Sequence, residues 1–89
     1  MHAWPMEIVW DERKRQQNLA KHGLDFADLS LEFFAAGVTG HAKHGRLKVV
    51  GVLSGRLVIA VIFKSLGTQA VSIVSMRRAN RLERSVLWV

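Results

Sequence analysis

The sequence contains no cysteine, which removes disulfide scaffolds, thiolate zinc sites and cysteine nucleophiles in one step and fits a reducing compartment. It also lacks a long apolar run. The longest, Leu57 to Phe63, is fenced by Arg56 and Lys64. It falls far short of the roughly 20 residues a spanning helix needs and reads as a buried strand. Met1-His2-Ala3-Trp4-Pro5 leads to acids at Glu7 and Asp11, not to the basic start and apolar stretch of a secretory signal. A cytoplasmic protein without membrane contact is therefore expected. Internal repeats, low-complexity segments and linkers are absent too. Acidic side chains are scarce: 7 Asp and Glu against 13 Lys and Arg give a formal net charge of +6. Such a field attracts anions, nucleic acid foremost, because neutralising phosphates releases condensed counterions.

What is present suits one domain. The 89 residues are 49% hydrophobic, too apolar for a disordered tail, and a chain this short buries only about 60 to 65% of its unfolded surface. Met6 to Trp10 is β-rich and alternating, which predicts a short strand. Asp11 caps a helix running to about His22, with Glu12 in its first turn and Lys21 and His22 in its last, and Gly23 supplies the left-handed C′ position. Asp25 is a second N-cap, for a core-facing helix carrying Phe26, Leu29, Phe33 and Phe34. Gly37 to Arg46 shows no periodicity and receives no secondary structure. Leu47 to Leu53, Leu57 to Phe63 and Gln69 to Met76 are β-branched runs with short joins, predicting an antiparallel meander. Asn80 and Glu83 form a capping box for a last helix in which Leu82, Val86 and Val89 share a face. The order is βααβββα: an α+β fold with a small antiparallel sheet, helices covering one face.

Candidate chemistry concentrates at two places. Lys14, Asn18 and Lys21 form one stripe of the first helix, suited to a phosphate or simply to solvent. His22, fixed by the helix end and Gly23, is the leading general acid or base, imidazole being the side chain that exchanges protons near neutrality; capping the last carbonyls is its structural alternative. His41 and His44 lack a third ligand in sequence, so no metal is assigned there. Ser75 to Arg84 carries four arginines at a strand-to-helix turn, which suits anion binding. Arg77 and Arg78 point to opposite faces of a strand, so only one can join a shared pocket, and Arg77 is favoured. Arg81, Arg84 and Trp88 form a basic stripe with an aromatic that could stack a base. Glu83 could act as a general base, although the capping box already gives it a structural task.

Trp10-Asp11-Glu12, Lys14, Asn18, Lys21-His22-Gly23 and Phe26, followed by Arg46 before a strand ending at Gly51, Ser75, Arg77-Arg78-Ala79-Asn80 and Glu83-Arg84, resemble the pattern of BrnT-family toxins over nearly the whole chain. The resemblance implies a RelE-like fold and a ribonuclease of a type II toxin-antitoxin pair that inhibits translation. It further implies neutralisation by a BrnA-like ribbon-helix-helix antitoxin, with operator DNA contacted through the complex. Carried onto matching positions, it implies His22 and Glu83 as acid-base groups with Arg77 as a catalytic cation, and Lys14, Lys21, Arg46, Arg78 and Arg84 as RNA contacts, without cofactor or metal. Two departures stand out. Family members usually carry a tyrosine a few residues after the Glu-Arg pair, whereas this chain has no tyrosine and places Ser85, Val86 and Leu87 there. The loop from Gly37 to Gly45 has His41, Lys43 and His44 where acidic residues are common. A non-catalytic nucleic-acid-binding module would explain the charge equally well, and a degenerate toxin that only binds its antitoxin would keep the same pattern.

Overall fold

The computed structural model describes the backbone of residues 7–88 and the side chains of residues 7–87. Met6, Val89 and the Trp88 side chain, named above, lie outside those. Strand β1 (Glu7–Trp10) leads into helix α1 (Glu12–His22), a 3-10 turn (Phe26–Asp28) and helix α2 (Leu31–Ala36). Then come β2 (Val38–His41), a 3-10 turn (Lys43–Gly45), β3 (Leu47–Leu53), β4 (Leu57–Leu66), β5 (Ala70–Arg78) and α3 (Arg81–Ser85), which runs into a 3-10 turn (Val86–Trp88). The α+β class is as expected.

Four details differ from expectation. The sheet has five strands in the order β1-β5-β4-β3-β2, and β1 pairs with β5 in parallel, not antiparallel. A parallel pair needs a long crossover, and the rest of the chain supplies it. Gly37 to Arg46, expected to be irregular, contains β2, an edge strand whose residues are all exposed and therefore carry no apolar alternation. The second helix is split: Asp25 caps only the 3-10 turn, accepting from the Ala27 N–H, and Ser30 caps α2, accepting from the Phe33 N–H. Finally, helices lie on both faces of the sheet.

On the first face Phe26, Phe33 and Phe34 pack on Val49, Ile59, Val61, Phe63, Val71, Ile73 and Met76. Gly51 admits Phe33 there, since a Cβ at that position would sit 2.8 Å from the ring's Cε1. On the second face Val50, Ala60 and Ala79 form a smaller cluster with Val58 and Leu87. That cluster covers only one end, and beyond it Lys48, Ile62 and Arg77 line an open depression. The apolar residues expected on one face of the last helix are not its buried side: Leu82 of α3 is 80% and Val86 of the following turn 42% exposed, while Glu83 is buried. Among the described residues no helix is long and apolar enough to cross a membrane.

Candidate nucleic-acid interface

The local elements that carry the site begin as the sequence dictates. The Asp11 side chain accepts from the Arg13 N–H at 2.8 Å, and Gly23 ends α1 at φ 70°, its N–H donating to Leu19 O. The helix has no buried apolar residue, and Asn18 is its sole buried side chain. Asn18 Nδ2 donates to Met76 O at 2.9 Å and to Leu24 O at 3.2 Å, and Oδ1 accepts from the Met76 N–H at 3.1 Å. Its amide takes the place of a neighbouring strand where β1 has ended at Trp10 opposite Ile73. Asn18 is thus a structural anchor and not, as its stripe with Lys14 and Lys21 allowed, a solvent-facing phosphate ligand. Arg15 clasps the next turn, its Nε 2.7 Å from Asp25 Oδ1, and this hydrogen bond holds the Asp25 carboxyl below its ordinary pKa.

Strand β5 supplies the other wall. Phe63 pairs with Ile73 but Ile62 pairs with Ser75, so Val74 is an extra residue, a β-bulge. The bulge shifts the alternation of every later residue. Ile73 and Met76 both face the first core although three positions apart, while Ser75 and Arg77 turn to the second face, Arg77 opposite Ala60.

Arg77 divides two depressions. One, of about 490 Å³, is lined by Lys14, Gln17, Asn18, Lys21, His22, Val74, Ser75 and Arg77. The other, of about 620 Å³, is lined by His41, Ala42, Lys43, His44, Arg46, Lys48, Ile62 and Arg77. The helix-end cations and His22 thus share a concavity with Arg77 despite their distance in sequence, and Arg46 belongs to the adjoining one. Arg78 and Arg84 line neither. Arg78 is exposed opposite Ile59 on the other face, and Arg84 donates to Ala79 O at 3.2 Å.

Glu83 sits behind Arg77, 6% exposed. The capping box is complete: Asn80 Oδ1 accepts from the Glu83 N–H, and Glu83 Oε1 accepts from the Asn80 N–H. Oε1 and Oε2 also accept from Arg77 Nη1 and Nη2 at 2.7 and 3.0 Å, and Oε2 from Lys48 Nζ at 2.8 Å. Four donors fill the four lone-pair positions of the carboxylate. The Arg77 hydrogen bonds, aided by those from Lys48 and the Asn80 N–H and opposed by burial, lower its pKa to about 2. The paired Arg77 is raised correspondingly, chiefly by the same hydrogen bonds. Two of the five Arg77 N–H groups remain unused by these bonds and the one to Arg78 O. The concavity therefore presents cations and an imidazole, with its nearest carboxylate neutralised from behind: an arrangement that binds phosphate and supports proton transfer beside it.

Lys48 is the member that sequence reasoning missed. The signal was available, because a lysine inside the apolar run Leu47 to Leu53 stands among side chains that pack, and it is partly withdrawn from water against Glu83. The turn residues Lys43 and His44 carried no such signal.

The family described as "Ribonuclease toxin, BrnT, of type II toxin-antitoxin system" matches residues 10–83. The crystal structure of the Brucella abortus ribonuclease toxin BrnT is similar at 53% identity and TM-score 0.80, covering 85% of this chain and 99% of that one. No curated protein matches the sequence. A family pattern that runs from β1 into α3, together with a solved toxin of the same fold at this identity, means that the chain belongs to the BrnT family of type II ribonuclease toxins.

Proposed function

We propose that this toxin cuts RNA by metal-independent acid-base chemistry at the phosphate held by Arg77, and that the cleavage inhibits translation in the cytoplasm. The observation that carries the reading is the shared concavity of Lys14, Lys21, His22 and Arg77. In it Lys14 and Lys21 hold the backbone of the RNA, Arg77 meets the charge that develops on the phosphorane, and His22 moves a proton on or off a ribose oxygen. Arg46 extends the cationic track into the adjoining depression. Glu83 acts as a positioning residue, because a carboxylate with all its lone pairs occupied and a pKa of about 2 is a poor base near neutrality. Arg78 and Arg84 stand outside this cleft.

Neutralisation by a BrnA-like ribbon-helix-helix antitoxin, with the complex contacting operator DNA, completes the proposal. An exposed apolar patch supports a protein partner: Val38, Leu82 and Val86 line a depression beside the edge strand β2. The test is to express the chain with and without the neighbouring gene and to incubate purified protein with RNA in the presence of EDTA. Growth arrest relieved by the partner, and defined RNA fragments with EDTA present, are expected. His22→Ala and Arg77→Ala should each slow cleavage by about 10²–10³-fold. Parental arrest by both variants would remove the site assignment, and intact RNA bound with a steep salt dependence would favour the non-catalytic module.

A further inference from the structure

Cleavage of RNA through its own 2′-OH requires two proton transfers on two sides of one phosphate: one from the attacking oxygen, one onto the leaving oxygen. His22 serves one of them. Glu83 is consumed by Arg77, Lys48 and the capping box, and the chain has no tyrosine, so the second group must come from elsewhere. Arg77 separates the His22 depression from the one lined by His41, Lys43, His44, Arg46 and Lys48. A phosphate on Arg77 would lie between a depression lined by His22 and one lined by His41 and His44.

Both His41 and His44 line the depression across from His22, and the turn residue is the better placed of the two. His41 pairs with Leu47, which packs on the first core, so its Cβ leaves toward the opposite face from Lys48. His44 stands in the turn itself, exposed, and holds a left-handed backbone at φ 61°, ψ 35°. That conformation is uncommon for a residue with a Cβ and recurs where a side chain must be aimed. Beside it Arg46 Nε is buried with no partner among the described residues, a donor left for a ligand.

We propose that His44 is the second proton-transfer group of this toxin, working across Arg77 from His22; this rests on the ribonuclease reading above. One neutral imidazole takes the 2′-OH proton as O2′ bonds to phosphorus and the P–O5′ bond breaks. The other, entering as imidazolium, gives its proton to O5′. The products are a 2′,3′-cyclic phosphate and a 5′-hydroxyl, with no change of oxidation state and no co-reactant. The titratable and charged groups that line the depression with His44 are Lys43 and Arg46 of its own turn, His41 at the end of β2, Lys48 of β3 and Arg77 of β5.

The experiment compares two oligonucleotides cut by the purified parent, one all-oxygen and one with sulfur replacing O5′ at the cleaved linkage, whose thiolate departs without a proton. His44→Gln and His44→Asn should slow the all-oxygen substrate by about 10²–10⁴-fold and remove one limb of the pH–kcat profile. The sulfur substrate should restore either the His44→Gln or the His22→Gln protein toward the parental rate, and leave the other slow. Parental rates with an unchanged pH profile in both His44 variants overturn the proposal, as does an identical response of His22→Gln and His44→Gln to sulfur. A parent that binds but cuts neither substrate overturns the ribonuclease reading, and this inference with it.

Discussion

Glu83 keeps its negative charge while only 6% exposed, because Arg77, Lys48 and the Asn80 N–H replace the water it has lost. Its lowered pKa ties stability to pH. A carboxyl ordinarily near 4.5 and at about 2 in the fold stabilises the protein fully above the ordinary value, and that stabilisation disappears as pH falls through about 2. Arg77 and Lys48 are 34% and 31% exposed, so solvent screens part of the interaction and about 2–3 kcal/mol is the expected scale at neutral pH. Urea unfolding of Glu83→Gln beside the parent should show a gap of that size at pH 7 that closes between pH 4.5 and 2. A gap independent of pH would mean that Glu83 acts through packing and not through charge.

At the scale of elements, α1 is held by polar contacts where most helices are held by an apolar stripe. Its sequence offers only Leu19, 38% exposed, and the exposed Ala20, and the docking falls to Asn18 against the free edge of β5. Asn18→Ala would leave the Met76 N–H and C=O buried and unpaired, and should cost about 1–3 kcal/mol in thermal or urea unfolding. It should also lower RNA cleavage in the folded fraction, since the helix carries Lys14, Lys21 and His22 to Arg77. Full cleavage together with full stability would show that the helix is seated by other means. Elements marked by a cap or an apolar run were legible: the caps of α1, the left-handed Gly23, the capping box of α3 and the apolar runs of β3 to β5. Features without such a mark were not. The edge strand β2 shows no alternation because none of its residues meets a core, and the orientation of α3 was hidden because its inward group is a charge.

At the scale of the molecule, a net charge of +6 is not spread evenly in effect: the two depressions meeting at Arg77 gather Lys14, Lys21, Lys43, Arg46 and Lys48. The affinity of single-stranded RNA should fall with log salt by about 0.7 per phosphate contact. Replacing Lys14 and Lys21 together by alanine should therefore reduce the slope by about 1.4, measured by fluorescence anisotropy across a salt series. The pair Arg78→Ala and Arg84→Ala should change it less, and an equal change would place the RNA track outside the cleft.

The sequence by itself determined the charge, the family pattern, the capping of α1 and α3, and the rule that Arg77 and Arg78 cannot share a face, because each follows from residue type or from spacing along one element. Which arginine enters the cleft was decided only in three dimensions. The extra residue Val74 in β5 reverses the alternation of everything after it, and only a neighbouring strand in register reveals that. Likewise, Glu83 became a buried anchor when Lys48, from a strand far away in sequence, closed on it. A carboxylate's role depends on how many of its lone pairs are already filled, and the partners that fill them come from tertiary contact.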